Sequence, residues 1–162
     1  GQINPYGFRL PIAPHIAARH EGVRMDFPRI LASYRELSAQ ADCVIVEGVG
    51  GFKVPINERQ DTADLAAALG LPVILVVGMR LGCLNHALLT QDAIAAAGLR
   101  CAGWVANVLD SRMLALQENI EALQQRIAAP LLGIVPDQAQ PDARDVAAQL
   151  DLSLLDAGGD AA

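Results

Sequence analysis

The sequence predicts an α/β protein built on a parallel sheet with helices on both faces. Short apolar runs rich in β-branched residues recur four times, each ending in glycine, asparagine, proline or a carboxylate. The segments between them carry apolar residues at three- and four-residue steps, bounded by residues that start and stop helices. At 162 residues, 52% of them hydrophobic and 19% charged, the chain suits one domain over residues 1–162 with ample material for a core.

The elements follow in order. Gly1 to Pro14 holds three prolines and no helical period, so it reads as an extended loop. Ile30, Leu31, Tyr34 and Leu37 share one face of a helix from about Pro28 to Gln40. Asp42 to Glu47 then reads as the first buried strand, and Pro72 to Val77, Ala102 to Asn107 and Leu131 to Val135 as the second, third and fourth. Asp61 can cap a helix through Leu65 and Leu69, with Gly70 closing it in the left-handed conformation. Leu84, Ala87, Leu88 and Ile94 share the face of a helix that Gly98 ends. Leu116, Ile120, Leu123 and Ile127 are in register on a helix from about Arg112 to Ala129, stopped by Pro130, and a shorter helix can follow Asp142. Strands alternating with helices specify crossovers and a parallel sheet.

Composition excludes several function classes. A net charge of -6 and a pI near 4.9 supply no basic surface for a phosphate backbone, so nucleic acid is not an expected partner. Cys43, Cys83 and Cys101 are widely spaced and form no C-x-x-C pair, which argues against a zinc site or disulfide framework and for reduced thiols in the cytoplasm. The most apolar stretch, Leu71 to Val77, is too short to span a bilayer, and no membrane partner is expected. His15 and His20 stand five apart without a carboxylate at ligand spacing, no serine sits in G-x-S-x-G, and no basic residues interleave with Trp104, Phe52 or Tyr34.

In open parallel sheets ligands bind beyond the carboxyl ends of the strands. Glu47-Gly48-Val49-Gly50-Gly51 reads as a magnesium-binding carboxylate beside nucleotide phosphates, or as a solvated glutamate on a glycine turn. Gly82 before a helix offers free backbone N–H groups to an anion, or is a plain cap with Asn85 and His86 in solvent. Asn107 can pair with a purine edge through one donor and one acceptor, or cap a turn. A P-loop is absent: it needs Gly-Lys followed by Ser or Thr, and the only lysine is Lys53, between Phe52 and Val54.

Three stretches in order, V-I-V-E-G-V-G-G-F (44–52), L-P-V-I-L-V-V-G-M-R-L-G-C-L-N-H-A-L-L-T (71–90) and A-G-W-V-A-N (102–107), resemble the dethiobiotin synthetase family. Asn4-Pro-Tyr-Gly-Phe8, Pro11-Ile-Ala-Pro-His15 and Ala129-Pro-Leu-Leu-Gly133 match it as well. The resemblance implies a P-loop NTPase-like fold, of the dethiobiotin synthetase and MinD-like type, of which this chain is the C-terminal two-thirds. Two β-α units of about 30 residues each, carrying the P-loop, a catalytic lysine and a magnesium-binding aspartate, are expected before Gly1, so no catalytic residue is expected in this chain.

The implied enzyme is a homodimeric cyclo-ligase of biotin biosynthesis that makes dethiobiotin from 7,8-diaminopelargonic acid, CO₂ and ATP, with Mg²⁺ as cofactor. A substrate amine forms a carbamate, the γ-phosphoryl of ATP passes to its oxygen, and the second amine closes the ring as phosphate leaves. Carried over by position, Glu47 resembles the magnesium ligand, and Gly48, Val49 and Gly50 resemble the residues along the phosphates. Asn107 and Val108 resemble the adenine contacts, and Pro136, Asp137 and Gln138 a further nucleotide loop. Gly82, Cys83, Leu84 and Asn85 resemble the helix start that receives the substrate carboxylate from the other subunit, and Asn119 stands where some members have a tyrosine. A cobyrinate-type amidoligase or a partition-type ATPase would share the V-E-G-V-G-G element, and a catalytically dead binding or dimerisation module would share the fold.

Overall fold

In the computed structural model, which describes residues 3–158, the chain forms two compact units, residues 1–70 and residues 71–162. The expected N-terminal loop is seen from Ile3 to Ala13, and Gly1 and Gln2 lie outside the described residues.

The first unit holds helices α1 (Pro14–His20), α2 (Phe27–Ser38) and α3 (Thr62–Leu69). Sequence periodicity does not predict α1. Its signal is Pro14 in the first turn, where the missing N–H leaves no hydrogen bond unmade. The Asp26 side chain caps α2 by accepting from the Arg29 amide at 3.1 Å. Asp61 and Asp64 form a reciprocal capping box on α3, and Gly70 closes that helix at φ 66°. Ala18, Met25, Phe27 and Ile56 form the core of this unit, with Ile30, Leu31 and Leu65 packed against it.

The expected first strand, Asp42 to Glu47, is not a strand. These residues have no ladder partner among the described residues, and Ile45 is 89% exposed. A β-branched run supplies the propensity for a strand, but its backbone groups need a neighbour.

The second unit is a three-stranded parallel sheet in the order β1-β2-β3, formed by β1 (Val73–Met79), β2 (Cys101–Val108) and β3 (Leu131–Val135). Helix α4 (Cys83–Ala96) links β1 to β2, and α5 (Leu116–Gln124) links β2 to β3. A short α6 (Ala143–Ala147), capped by Asp142, precedes a 3₁₀-helix (Leu152–Gly158) that lies against β2 and β3. Val77, Met79, Trp104 and Ala106 point from the sheet into one core with Cys83, Ala87, Ile120, Leu123 and Ile127. Trp104, 0% exposed, is its largest member, which settles its role as core. Alternate residues of β1 fare differently: Ile74 and Val76 are 45% and 60% exposed, so that side of the strand is open.

Helix α5 is shorter than the expected 112–129 span. Ala115 takes a left-handed φ of 54°, which sets the helix start at Leu116, and after Gln124 the chain leaves the helix while Ile127 still reaches the core. Apolar spacing predicts a face, not where the backbone is helical.

Gly133 in β3 allows the chain at Gln149 to Asp151 to approach closely. Leu150 bridges to it, and the Asp151 amide donates to the Leu132 carbonyl at 2.8 Å. A methyl group at Gly133 would run into the Gln149 backbone carbonyl. Gly133→Ala should therefore lower unfolding free energy by about 1–3 kcal/mol, read as a shifted urea midpoint at unchanged slope. An unshifted midpoint would show that the 149–151 segment moves aside freely.

Candidate nucleotide and substrate site

The carboxyl edge of the sheet gathers the ligand-binding residues expected in the second unit. Gly78 of β1 pairs in register with Asn107 of β2, and Asn107 with Val135 of β3. The segments that follow, 80–85, 109–115 and 136–138, therefore leave the sheet from one edge.

Asn107 is half-buried and inside β2, so it caps no turn, and its amide has no hydrogen-bond partner among the described residues. Both amide functions are left for a ligand edge. Val108 beside it is buried. Pro136 and Asp137 are exposed and Gln138 half-buried. The Asp137 carboxylate accepts from the Ser111 amide at 3.3 Å, tying the segment after β3 to the one after β2.

Gly82 stands at the N-cap of α4 with φ 95°, and no side chain caps the helix. The Cys83 amide donates to the Arg80 carbonyl at 2.9 Å and the His86 amide to Gly82 at 3.2 Å. That leaves the Leu84 and Asn85 amides as the orphan donors of the first turn, at the positive end of the helix dipole. Cys83 and Leu84 pack on the core by their side chains, so only their backbone can meet a ligand, whereas the Asn85 side chain is exposed. Asn119 is engaged locally: its amide donates to the Ala115 carbonyl at 2.7 Å, holding the turn that starts α5.

Glu47 to Gly50, in the first unit, form an exposed loop with Gly50 at φ 75°. Glu47 has no hydrogen-bond or ion-pair partner among the described residues. A free carboxylate alone fits Mg²⁺ that keeps several waters and shares phosphate oxygens, better than a metal caged by protein. No group of three or more His, Cys, Asp or Glu among the described residues is placed to hold a metal.

Sequence reasoning missed the residues that organise these loops. Asp110 forms a fork with Arg112, the guanidinium Nε at 3.0 Å from one oxygen and a terminal nitrogen at 3.2 Å from the other. Arg112 holds the Asp110 carboxyl below its usual range through its side chain and then its amide. The Thr62 hydroxyl donates to the Phe52 carbonyl at 2.6 Å and accepts from the Val54 amide at 2.9 Å. The only signal for Thr62 in the sequence is its place next to the capping aspartate. The lone lysine is also committed, with Lys53 Nζ 3.1 Å from an Asp61 carboxylate oxygen.

The three cysteines are free. Burial pushes the Cys101 thiol up, and hydrogen bonding at Gly103 and Leu75 offsets only part of this. Among the described residues no helix is long and apolar enough to cross a membrane.

A family profile described as an AAA domain matches residues 2–144. The ATP-dependent dethiobiotin synthetase of Aromatoleum aromaticum is 63% identical over 151 residues, 93% of this chain and 67% of that protein. The enzyme of the same name from Ralstonia nicotianae is 52% identical over 151 residues, 93% of this chain and 66% of the relative. That from Nitrosospira multiformis is 54% identical over 153 residues, covering 94% and 68%. The chain thus spans about two thirds of the length of the curated relatives it matches.

The ion pair of Lys53 makes a prediction about pH. Burial alone would raise the Asp61 carboxyl, yet the Asp64 amide, the Lys53 ammonium and the Ala63 amide together hold it below its usual 3.8. A carboxyl depressed in the folded state adds stability that is complete above its unfolded pKa and is lost as pH falls through the folded value. Lys53→Gln should return Asp61 toward 3.8 and move acid unfolding to higher pH by circular dichroism. At neutral pH the loss should be small, about 0–1 kcal/mol, because the pair is partly solvated. An unchanged acid transition would show that the helix amides alone set the Asp61 carboxyl.

Proposed function

We propose, from the premise that this chain belongs to the ATP-dependent dethiobiotin synthetase family, that it serves the ATP-driven carboxylation and ring closure of 7,8-diaminopelargonic acid to dethiobiotin. The observation that carries this reading is the register from Gly78 through Asn107 to Val135, which sends three ligand-suited segments out from one edge of the sheet. The family is named for ATP-dependent ligase chemistry, and each segment has a part in it.

Asn107 and Val108 take the adenine, the amide pairing with the purine edge and the buried valine walling its face, with Pro136, Asp137 and Gln138 closing the nucleotide side. Glu47 holds Mg²⁺, which when bound neutralises phosphate charge, and the backbone of Gly48, Val49 and Gly50 lines the phosphates. Gly82 to Asn85 receive the carboxylate of the diamine at the orphan amides of α4, orienting the amines from a distance. That carboxylate belongs to a substrate held by the second copy of a homodimer. The single domain over residues 1–162 and a cytoplasmic location belong to the same proposal.

Phosphoryl transfer needs a pre-positioned cation over the β- and γ-phosphates. Lys53 is the only lysine and is tied to Asp61, so the 162-residue chain alone should make no dethiobiotin. Assay it with diaminopelargonate, bicarbonate, Mg²⁺ and ATP, then add the third of a curated relative that it does not match. Activity only after the addition supports the reading. Activity of the chain alone would show the phosphates bind elsewhere, and none in either case would favour a binding or dimerisation module.

The dimer has its own test. Leu84 packs on the core, so the probe is Leu81, 99% exposed in the segment before α4. Leu81→Asp should shift sedimentation toward monomer and weaken substrate binding without lowering the unfolding temperature. A wild-type chain that sediments as a monomer at micromolar concentration would remove the second subunit from the site.

A further inference from the structure

Thr62 is the first residue of α3, but the helix does not need its hydroxyl: Asp61 already accepts from the Ala63 and Asp64 amides, at 2.8 and 3.0 Å. Thr62 instead turns back on the chain that leaves the glycine run. Its hydroxyl lies 2.6 Å from the Phe52 carbonyl and 3.3 Å from that of Gly51, and it accepts from the Val54 amide at 2.9 Å. Its own amide donates to the Val54 carbonyl at 2.9 Å. One side chain thus closes the excursion from Gly51 to Thr62 against a capped helix.

Val54, held on both its backbone groups, sits against the glycine run in turn. A Cβ built on Gly50 would lie 3.3 Å from Val54 Cγ2, so Val54 stands close beside the left-handed turn at Gly50 and leaves little room for a side chain there. Hydrogen bonds that a loop already makes before a ligand arrives reduce the ordering that binding must impose.

We infer that Thr62 is a positioning residue for the Glu47–Gly50 loop, its hydroxyl setting where the loop amides stand when they meet a metal–triphosphate. This rests on the proposed reading of that loop as the magnesium and phosphate segment. Thr62 touches neither metal nor phosphate and acts through Gly51, Phe52 and Val54.

The test titrates the ¹⁵N-labelled 162-residue chain with Mn²⁺·ATP and follows paramagnetic broadening of the Gly48 and Gly50 amides. Wild type, Glu47→Gln, Thr62→Val and Thr62→Ser are compared, with a thermal midpoint for each. Wild type should broaden at both glycines and Glu47→Gln should not. Thr62→Val, which keeps the shape and removes the hydroxyl, should weaken apparent Mn²⁺·ATP affinity roughly tenfold, the scale of one hydrogen bond. Thr62→Ser should stay within about twofold of wild type, since the hydroxyl is what matters.

Equal affinity in Thr62→Val and wild type would overturn the positioning role while leaving the loop's phosphate reading intact. Thr62→Ser losing affinity roughly tenfold against wild type would also overturn it, by assigning the effect to the lost methyl group; this outcome is read against wild type alone and stands even if the valine variant does not fold. Glycine amides that stay sharp in wild type, or broaden unchanged in Glu47→Gln, would remove the phosphate reading and the positioning role with it.

Discussion

Pairing of β2 on both of its edges is the constraint on which the second unit depends. Among the described residues it is the one strand with a ladder on either side, and all but its first and seventh residues are buried. Trp104 and Ala106 anchor it in the core shared with α4 and α5. An indole brings on the order of 150–250 Å² of surface out of water, enough to resist a slip in register. Because side chains alternate along a strand, a one-residue slip would turn Trp104 out of that core and Asn107 into it. The half-buried seventh residue is that same Asn107, so the packing that locks the strand also leaves its amide at the carboxyl edge of the sheet.

The loops at that edge are held by polar contacts, with Met113 of the segment after β2 also packed on the core. The Asp137 carboxylate takes the Ser111 amide, Asp110 grips Arg112, and Asn119 holds the turn at Ala115. Bonds of this kind are individually weak in water. The start of α4 is different: left-handed Gly82 releases two amides from a helix seated on the core by Cys83 and Ala87. An anion there meets a rigid donor set.

In the first unit the helix cap does the organising. Asp61 accepts helix amides and takes the Lys53 ammonium, and Thr62 latches the preceding loop. The only lysine of the chain therefore serves the fold of its own loop. In the proposed reading these residues orient adenine and carboxylate, and Lys53, held by Asp61, does not supply the cation over the phosphates.

The sequence by itself determined the α/β class, the three strands read from Pro72, Ala102 and Leu131, the capped helix after Asp61, and Glu47, Gly82 and Asn107 as the residues to watch. All of these are written in short-range pattern: β-branched runs, three- and four-residue apolar steps, and a cap with its first turn. The tertiary structure alone decided that Asp42 to Glu47 is not a strand here, that α5 begins at Leu116, that Asn107 caps nothing and that Asp61 claims Lys53. A strand exists only with a ladder partner, and a polar side chain is free or engaged according to what long-range folding brings beside it, as with Asp137 and Ser111, 26 residues apart in the chain. Local pattern states what a segment can form, and the neighbours that folding supplies decide whether it forms.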